Sequence, residues 1–257
     1  MKQFIENRKG LKISVVVDKT ENQKGLVFVM HGLGGFKEQD HIQRYAKSFK
    51  DEGFTTVLFD TTNTFGESEG NYENATTTNY YEDLCDVIAW SKKQEFYQEP
   101  FWLIGHSLGG ISTALYAENH PNDVKAVAPT STVVSGKLSL ETKKHQKISQ
   151  EWKETGWRET KSESKPGLVK KLPWSHIEDR LKFDLLEKAD QLTMPVLLIV
   201  GSKDEGTPSE HQQILFDAIP TKDKELHIIQ GAAHTFRESE HLDQIEKIIK
   251  SWIVKYI

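Results

Sequence analysis

Short apolar runs alternate with amphipathic stretches along most of the chain. Runs rich in Val, Ile, Leu and Phe predict strands, and an unbroken apolar run predicts a strand that is buried on both faces. The predicted strands are 11–17, 26–30, 55–60, 101–104, 124–128, 196–200 and 226–229. Stretches with apolar residues three and four positions apart predict helices, namely 41–50, 80–90, 111–117, 210–218 and 242–254. This alternation predicts an α/β fold, with a mostly parallel sheet flanked by helices.

One segment, 130–191, interrupts the alternation. It is rich in Lys and Glu, yet it contains three of the six tryptophans of the chain, Trp152, Trp157 and Trp174. An interruption of this length within an α/β alternation is typical of an insertion over the end of the sheet, and the tryptophans supply apolar contact surface. We therefore predict a core domain, 1–129 and 192–257, and an inserted cap, 130–191. The alternative is a solvated helical excursion without a function.

Composition and charge exclude several classes of protein. The chain has 257 residues, a net charge of −5 and one cysteine, Cys85, which excludes a disulfide framework and a Cys-rich zinc site. The acidic balance argues against binding to nucleic acid by bulk phosphate attraction. The N-terminus lacks an apolar signal region, and the longest strongly apolar run, 196–200, is far too short to span a membrane. We expect a cytoplasmic protein, with monomer and homodimer both open.

The pattern Gly-x-Ser-x-Gly occurs twice, at 105–109 and at 66–70. This pattern marks a nucleophile elbow, in which a buried strand runs through a sharp turn into a helix. Ser107 lies between a predicted strand and a predicted helix, as the elbow requires. Ser68 lies in a loop, between two glutamates whose charge would oppose a developing oxyanion. The sequence therefore predicts Ser107 as the nucleophile.

A serine nucleophile needs a base, and the base needs an orienting group. Asp204 follows the predicted strand 196–200, and His234 follows the predicted strand 226–229. The carboxyl ends of parallel strands meet at one edge of the sheet, where ligands bind. Of the ten histidines, His234 is the one at a strand end where a base is required. The sequence thus predicts a Ser107–His234–Asp204 triad, in the chain order Ser, Asp, His.

A tetrahedral intermediate also needs two backbone N–H donors. Leu108 directly follows the nucleophile, and Leu33 lies in the glycine-rich segment 31–35, which follows an early strand. His31 is predicted to shape this loop through hydrogen bonds. A dinucleotide-binding loop is excluded, because Lys37 stands where the last glycine of that motif would be. No cofactor is predicted, and no metal site, since the His-Glu-x-x-His motif is absent.

Together these motifs resemble those of α/β-hydrolase-fold serine hydrolases, most of all the compact capped esterases that include the bacterial cinnamoyl/feruloyl esterases and the monoacylglycerol-lipase-like group. The matching pieces are His31-Gly32, the turn 66–70, the elbow at Ser107, Asp204 and the stretch 231–234. The resemblance covers the chain outside the cap, and it implies that the turn 66–70 is structural.

Two stretches depart from the family pattern. The turn that begins at Asp60 lacks the first glycines that the family often has, and Glu205 stands beside Asp204 where the family often has Asp-x-x-Val-Pro.

The resemblance implies a serine carboxylic-ester hydrolase that cleaves a small or medium ester through an acyl-enzyme. A thioesterase or serine peptidase with the same triad is an alternative. A non-catalytic binding module with the same fold is an alternative of another class.

Overall fold

The computed structural model describes residues 1–161 and 167–257. The strands in these ranges are β1 (Lys2–Glu6), β2 (Lys12–Asp18), β3 (Gly25–Met30), β4 (Phe54–Phe59), β5 (Phe101–His106), β6 (Val124–Thr130), β7 (Trp157–Lys161), β8 (Val169–Pro173), β9 (Val196–Gly201) and β10 (Lys224–Ile229). The α-helices are α1 (Asp40–Asp51), α2 (Thr77–Ser91), α3 (Leu108–Asn119), α4 (Gly136–Glu141), α5 (Lys143–Thr155), α6 (Ser175–Arg180), α7 (Ser209–Ala218) and α8 (Ser239–Tyr256). None of the helices in the described ranges combines the length and apolar character that crossing a membrane requires.

Eight strands form one sheet in the order β1-β2-β4-β3-β5-β6-β9-β10. The strands β1 and β2 run antiparallel to their neighbours, and the remaining pairs are parallel. Every residue of β3, β4, β5 and β9 is buried, because helices cover both faces of a parallel sheet. The α/β fold predicted from the alternation of strands and helices is confirmed.

The two faces of the sheet carry separate apolar cores. On one face, Phe49 of α1 and Trp252 of α8 each contact Trp102 of β5 edge-on. On the other face, Leu84 of α2 and Ile111 of α3 pack against the sheet. Burial of each large apolar side chain contributes about 1.5–3 kcal/mol, so the two cores fix the ends of the central strands relative to one another.

The strand β1 was not predicted from the sequence. Ile5 is its only buried residue, and Phe4 is 53% exposed. An edge strand that covers the core with so few side chains has neither an unbroken apolar run nor a clear alternation. Its place in the sheet follows from its antiparallel ladder with β2, a tertiary contact.

The segment 130–191 leaves the sheet at the end of β6 and returns before β9. It contains α4, α5, the antiparallel hairpin β7–β8 and α6, and of this predicted cap residues 162–166 lie outside the described residues. Trp152 is buried, and its Nε1–H donates to the Leu172 carbonyl at 3.1 Å, which connects α5 to β8. Trp174 packs edge-on against Trp152 at 5.8 Å, whereas Trp157 is 42% exposed. Two of the three tryptophans therefore form an apolar centre within this segment.

Candidate active site

The first Gly-x-Ser-x-Gly forms a sharp turn between β5 and α3. Ser107 has φ 55° and ψ −112°, a backbone conformation that costs on the order of 1–3 kcal/mol for a residue other than glycine. Its N–H donates to the Thr130 carbonyl at 2.9 Å, and its own carbonyl accepts from Ile111 at 3.1 Å. A Cβ on Gly105 would lie 2.3 Å from the Gly109 carbonyl oxygen. The end of β5 and the start of α3 can therefore approach this closely only where there is no side chain. This packing explains why the serine is flanked by glycines.

The structure brings the three predicted triad residues together. Ser107 Oγ lies 2.9 Å from His234 Nε2, and His234 Nδ1 lies 2.6 Å from Asp204 Oδ2. Each residue stands just after a parallel strand, β5, β9 or β10, so the sheet itself sets their spacing. Both distances are within hydrogen-bond reach, which a nucleophile–base–acid arrangement requires.

Asp204 is held as a carboxylate. Its side chain is fully buried, and Oδ1 accepts the backbone N–H groups of Gly206 and Thr207, both at 2.9 Å. Burial acts to raise the pKa of Asp204, but His234 and the surrounding donors outweigh it and hold the pKa below its ordinary value. The neighbouring Glu205 is exposed. Of the two carboxylates in this loop, Asp204 is the one that contacts His234.

Thr207 is a residue of this site that the sequence analysis did not single out. Its Oγ1 lies 2.8 Å from Asp204 Oδ2 and 2.9 Å from the Ser131 carbonyl oxygen. Together with its backbone N–H, the hydroxyl fixes the Asp204 carboxylate from two sides. An aspartate followed three residues later by a threonine is a local turn pattern, and this was the available signal.

Two further histidines support the site from beneath. His106 Nε2–H donates to the His234 carbonyl at 2.7 Å, and burial lowers the pKa of His106 well below its ordinary value. His31 Nδ1–H donates to the Gly32 carbonyl at 2.8 Å, and its Nε2 accepts the Thr61 N–H at 3.0 Å. These contacts give His31 the loop-shaping position that the sequence predicts, and both rings are neutral.

The glycine-rich loop lies directly against Ser107. A Cβ on Gly32 would be 3.0 Å from the Ser107 Cβ. The Tyr80 hydroxyl donates to the Gly32 carbonyl at 3.0 Å and accepts the Gly34 N–H at 3.1 Å, which fixes the loop. The sequence analysis placed Tyr80 only at the start of the predicted helix 80–90, and nothing in the sequence indicated its contact with the glycine-rich loop.

The predicted oxyanion donors are both unused. Leu108 is the first residue of α3, where backbone N–H groups have no partner within the helix. Within residues 1–161 and 167–257, neither the Leu33 N–H nor the Leu108 N–H donates to a protein acceptor. Both residues line the same cleft as Ser107, so their N–H groups are available to a ligand there.

The second Gly-x-Ser-x-Gly has a different role. Ser68 Oγ donates to the Asp60 carbonyl at 2.7 Å and accepts the Ser14 N–H at 2.8 Å, so both functions of the hydroxyl are used. The Asp60 carboxylate accepts from the backbone and from the Nζ of Lys37, each at 2.7 Å, and from the Glu67 N–H at 2.8 Å. This turn is a buried structural network.

A cleft of about 350 Å³ opens above Ser107, between the core and the segment 130–191. The core side includes the 32–35 loop, and the other side includes Trp152 and Leu172. The part of the chain that the structure describes contains no group of three or more His, Cys, Asp or Glu side chains arranged to hold a metal ion. Ser107 thus shares the cleft with aromatic and aliphatic side chains of the inserted segment.

The fold and the serine–histidine–aspartate arrangement define this protein as an α/β hydrolase of the esterase, lipase and thioesterase type. The model of the family described as Hydrolase_4, serine aminopeptidase S33, matches residues 21–176 and 179–240, and the chain belongs to this family. The predicted resemblance to capped esterases and monoacylglycerol lipases is confirmed by the comparisons.

Three proteins illustrate what this chain is similar to in fold or in sequence. Est1E from Butyrivibrio proteoclasticus, solved with ferulic acid bound, has a TM-score of 0.81 and 22% identity, covering 99% of this chain and 98% of that one. The monoacylglycerol lipase of Paleococcus ferrophilus has a TM-score of 0.75 and 23% identity, covering 95% and 99%. The mitochondrial palmitoyl-protein thioesterase ABHD10 of Mus musculus is 25% identical over 83% of this chain and 70% of its own length.

His176 of α6 connects the segment 130–191 to the core. Its Nδ1–H donates to the Ala75 carbonyl at 2.8 Å, and its Nε2 accepts from Arg180 Nη2 at 2.7 Å. Burial lowers the pKa of His176 to about 3; the positive charges of Arg180 and Arg158 and the nearby His145 act in the same direction, and the Ala75 hydrogen bond opposes them. A proton on Nε2 would replace this hydrogen bond by two adjacent cations.

The free energy of unfolding is expected to fall as the pH drops from about 6.5 toward 3. In this range the unfolded state binds a proton at His176 and the folded state does not, so acid favours unfolding. Replacing His176 by Gln removes this proton and is expected to reduce the slope of the unfolding free energy by an amount that grows as the pH falls, to about 1.4 kcal/mol per pH unit near pH 5. Urea denaturation of both proteins between about pH 7 and 5 measures the difference, in which other titrating groups cancel. Equal slopes would contradict the prediction.

Proposed function

We propose that this protein is a serine carboxylic-ester hydrolase acting on a small or medium ester. The observation that carries the proposal is the continuous contact from Ser107 Oγ through His234 to Asp204, at 2.9 and 2.6 Å. Neutral His234 takes the Ser107 proton at Nε2 as Oγ attacks the acyl carbon. The Asp204 carboxylate orients the imidazole and stabilises the imidazolium that forms.

The remaining steps use the same groups. The oxyanion of the tetrahedral intermediate accepts the N–H groups of Leu33 and Leu108. His234 then gives its proton to the leaving alcohol, the C–O bond breaks, and the acyl group stays on Ser107. Water attacks this acyl-enzyme while His234 takes one of its protons. Collapse of the second intermediate returns the proton to Ser107 Oγ and releases the carboxylic acid.

Reaction with a fluorophosphonate probe separates this enzyme from a non-catalytic binding module. The probe phosphonylates only an activated serine, so we expect one equivalent bound to the wild-type protein and none to Ser107→Ala. His234→Ala is expected to react at least about a hundredfold more slowly, because the general base is missing. Intact protein that the probe leaves unmodified would favour the binding module.

Among the hydrolases, the cleft favours esters over peptides with a free N-terminus. An aminopeptidase needs an anionic group to bind the substrate ammonium, and no Asp or Glu of the described residues lines the cleft. The test is a panel of p-nitrophenyl esters, methyl ferulate, an acyl-CoA and an aminoacyl anilide. We expect the esters to have the highest kcat/KM, and a higher value for the acyl-CoA would make the protein a thioesterase.

The segment 130–191 is proposed to act as the cap that selects the substrate. The hairpin β7–β8 can be removed without separating its neighbours, because the Trp174 N–H already donates to the Gly156 carbonyl at 2.8 Å. Replacing 157–173 by two glycines is expected to leave p-nitrophenyl acetate hydrolysis within about tenfold, while the ranking of larger acyl groups is lost. A folded deletion variant that ranks the larger acyl groups as the wild-type protein does would show that the core loops, and not this hairpin, determine specificity.

A further inference from the structure

The cleft above Ser107 is strongly cationic, although the chain has a net charge of −5. Among the described residues, six basic side chains line it, namely Lys144, Arg158, Lys161, Lys170, Arg180 and Arg237. None of the acidic side chains in the described ranges lines it. With an excess of carboxylates over the whole chain, a cleft whose described charged side chains are all basic is a local arrangement that raises the concentration of anions there.

One face of the hairpin β7–β8 contributes two cations to the cleft. Arg158 is paired with Leu172, and Thr160 with Lys170. Directly opposed residues share a face of an antiparallel pair, and alternate residues point the same way. All four line the cleft.

The opposite face of the hairpin carries its carboxylate. Glu159 is paired with Lys171, and the two side chains form an exposed ion pair at 3.6 Å. Within the ladder, Arg158 and Lys170 therefore lie on the face toward the cleft and Glu159 lies on the opposite face, while Lys161, at the end of β7, lines the cleft as well.

Arg180 is the clearest sign of a missing anionic partner. Its side chain is only 7% exposed, its Nη2 contacts the neutral His176, and its Nε has no hydrogen-bond partner in the described part of the chain. The adjacent carboxylate, Asp179, is directed to Thr78, which donates its N–H at 2.9 Å and its hydroxyl at 2.6 Å. A buried guanidinium without a counter-ion is costly, on the order of several kcal/mol.

Arg158 lies beside Arg180 in the same wall. Its guanidinium lies 5.3 Å from the centre of the Trp152 ring, which is a cation–π contact. Burial lowers the pKa of Arg158, with the Tyr72 hydroxyl opposing, and the charges of the two arginines act on each other. Within residues 1–161 and 167–257, no carboxylate lies within 4.0 Å of either guanidinium. Each guanidinium presents a planar fork of N–H donors that matches a carboxylate or a phosphate.

We infer that the substrate is an ester that carries an anionic oxygen group, a carboxylate or a phosphate, remote from the bond that is cleaved. Arg158 and Arg180 bind this group while Ser107 attacks the ester carbonyl. The inference rests on the proposed ester hydrolysis and adds the substrate class.

The test compares anionic esters with neutral counterparts of equal length. The carboxylate series is the mono-4-nitrophenyl esters of glutarate, adipate and suberate, and each counterpart has the free carboxylate capped as a methyl ester. The phosphate series uses 4-nitrophenyl esters of ω-phosphono acids and their dimethyl phosphonates. For at least one length we expect the kcat/KM of the anionic ester to exceed that of its neutral counterpart by about tenfold or more, and to decline with added salt. The faster series identifies the anionic group.

Variants assign the preference to the cleft wall. Arg158→Gln is expected to reduce the ratio of anionic to neutral kcat/KM by about tenfold, and Arg158→Lys to restore part of it. Lys171→Gln on the outer face of the same hairpin is the matched control and is expected to leave the ratio unchanged. The comparison uses variants of Arg158 and Lys171 only, because a substitution at the buried Arg180 would also disturb folding.

The outcomes separate this inference from the proposed function. A wild-type ratio at or below one for every length, or a ratio unaffected by Arg158→Gln, would overturn the anionic substrate and leave the ester hydrolase standing. Failure to cleave any ester, together with failure to react with a fluorophosphonate, would instead remove the proposed hydrolase itself.

Discussion

Replacing Ser107 with alanine is expected to lower kcat for ester hydrolysis by about 10³–10⁶-fold. The variant keeps the oxyanion donors and the cleft but has no atom to form the acyl-enzyme. Because alanine lacks only the hydroxyl, and Ser107 Oγ contacts His234 Nε2 as its partner, the fold is expected to survive. Initial rates with p-nitrophenyl acetate, read beside the circular dichroism spectrum, measure the loss.

The matched control is Ser68→Ala, which changes the other Gly-x-Ser-x-Gly. Ser68 uses its hydroxyl between Ser14 and Asp60, so the variant is expected to lose about 1–3 kcal/mol of stability while its kcat stays within a few-fold. If Ser68→Ala were the inactive variant and Ser107→Ala retained activity, the elbow would be assigned to the wrong motif.

Replacing Asp204 with asparagine is expected to lower kcat by about 10⁴-fold. An amide at this position removes the charge that stabilises the imidazolium. It also offers a donor, the NH₂ group, where Asp204 Oδ2 now lies 2.6 Å from His234 Nδ1. Because Gly206 and Thr207 donate to Oδ1, the asparagine oxygen is expected to occupy that position and its NH₂ group to face His234. The imidazole is then held in the tautomer that cannot accept the serine proton.

Glu205→Gln is the control for Asp204→Asn, since it removes the adjacent charge without touching His234. Glu205 is exposed, and we expect kcat within about twofold of the wild-type value, as for most surface substitutions. Steady-state kinetics of the two variants side by side decide which carboxylate acts. A large loss of kcat in Glu205→Gln alone would assign the acid role to Glu205 and not to Asp204.

The strands that carry the site were predictable because their burial is visible in their composition. The strand β5 is apolar up to the turn at Ser107, and β9 is apolar up to the loop of Asp204. The start of α3 was placed three residues late, at Ile111, because Gly109 and Gly110 have poor helix propensity. A Cβ on Gly109 would lie 2.4 Å from the His31 carbonyl oxygen, and one on Gly110 would lie 2.8 Å from Thr132 Oγ1. Close packing against distant residues therefore requires glycines where helix propensity disfavours them.

The hairpin β7–β8 shows where the sequence pattern fails. The strand β7 alternates exposed and half-buried residues whereas β8 does not, and the partly buried positions of the two strands include the polar residues Arg158, Thr160 and Lys170. A search for apolar alternation therefore finds no strand here. The same residues line the cleft, so the feature that concealed the hairpin is the feature from which the substrate class is inferred.

By itself the sequence determined the α/β alternation and the strand-end positions of Ser107, Asp204 and His234, and it predicted Ser107 and not Ser68 as the nucleophile, because each of these inferences depends on residues close together along the chain. Only the tertiary structure decided which side chains support the triad, such as Thr207, and that the cations of the inserted segment converge on one cleft. Net charge is a sum over the whole chain and does not tell where each charge lies. The register of a hairpin and the packing of its face decide where each charge points, and these depend on contacts between residues that are distant in sequence.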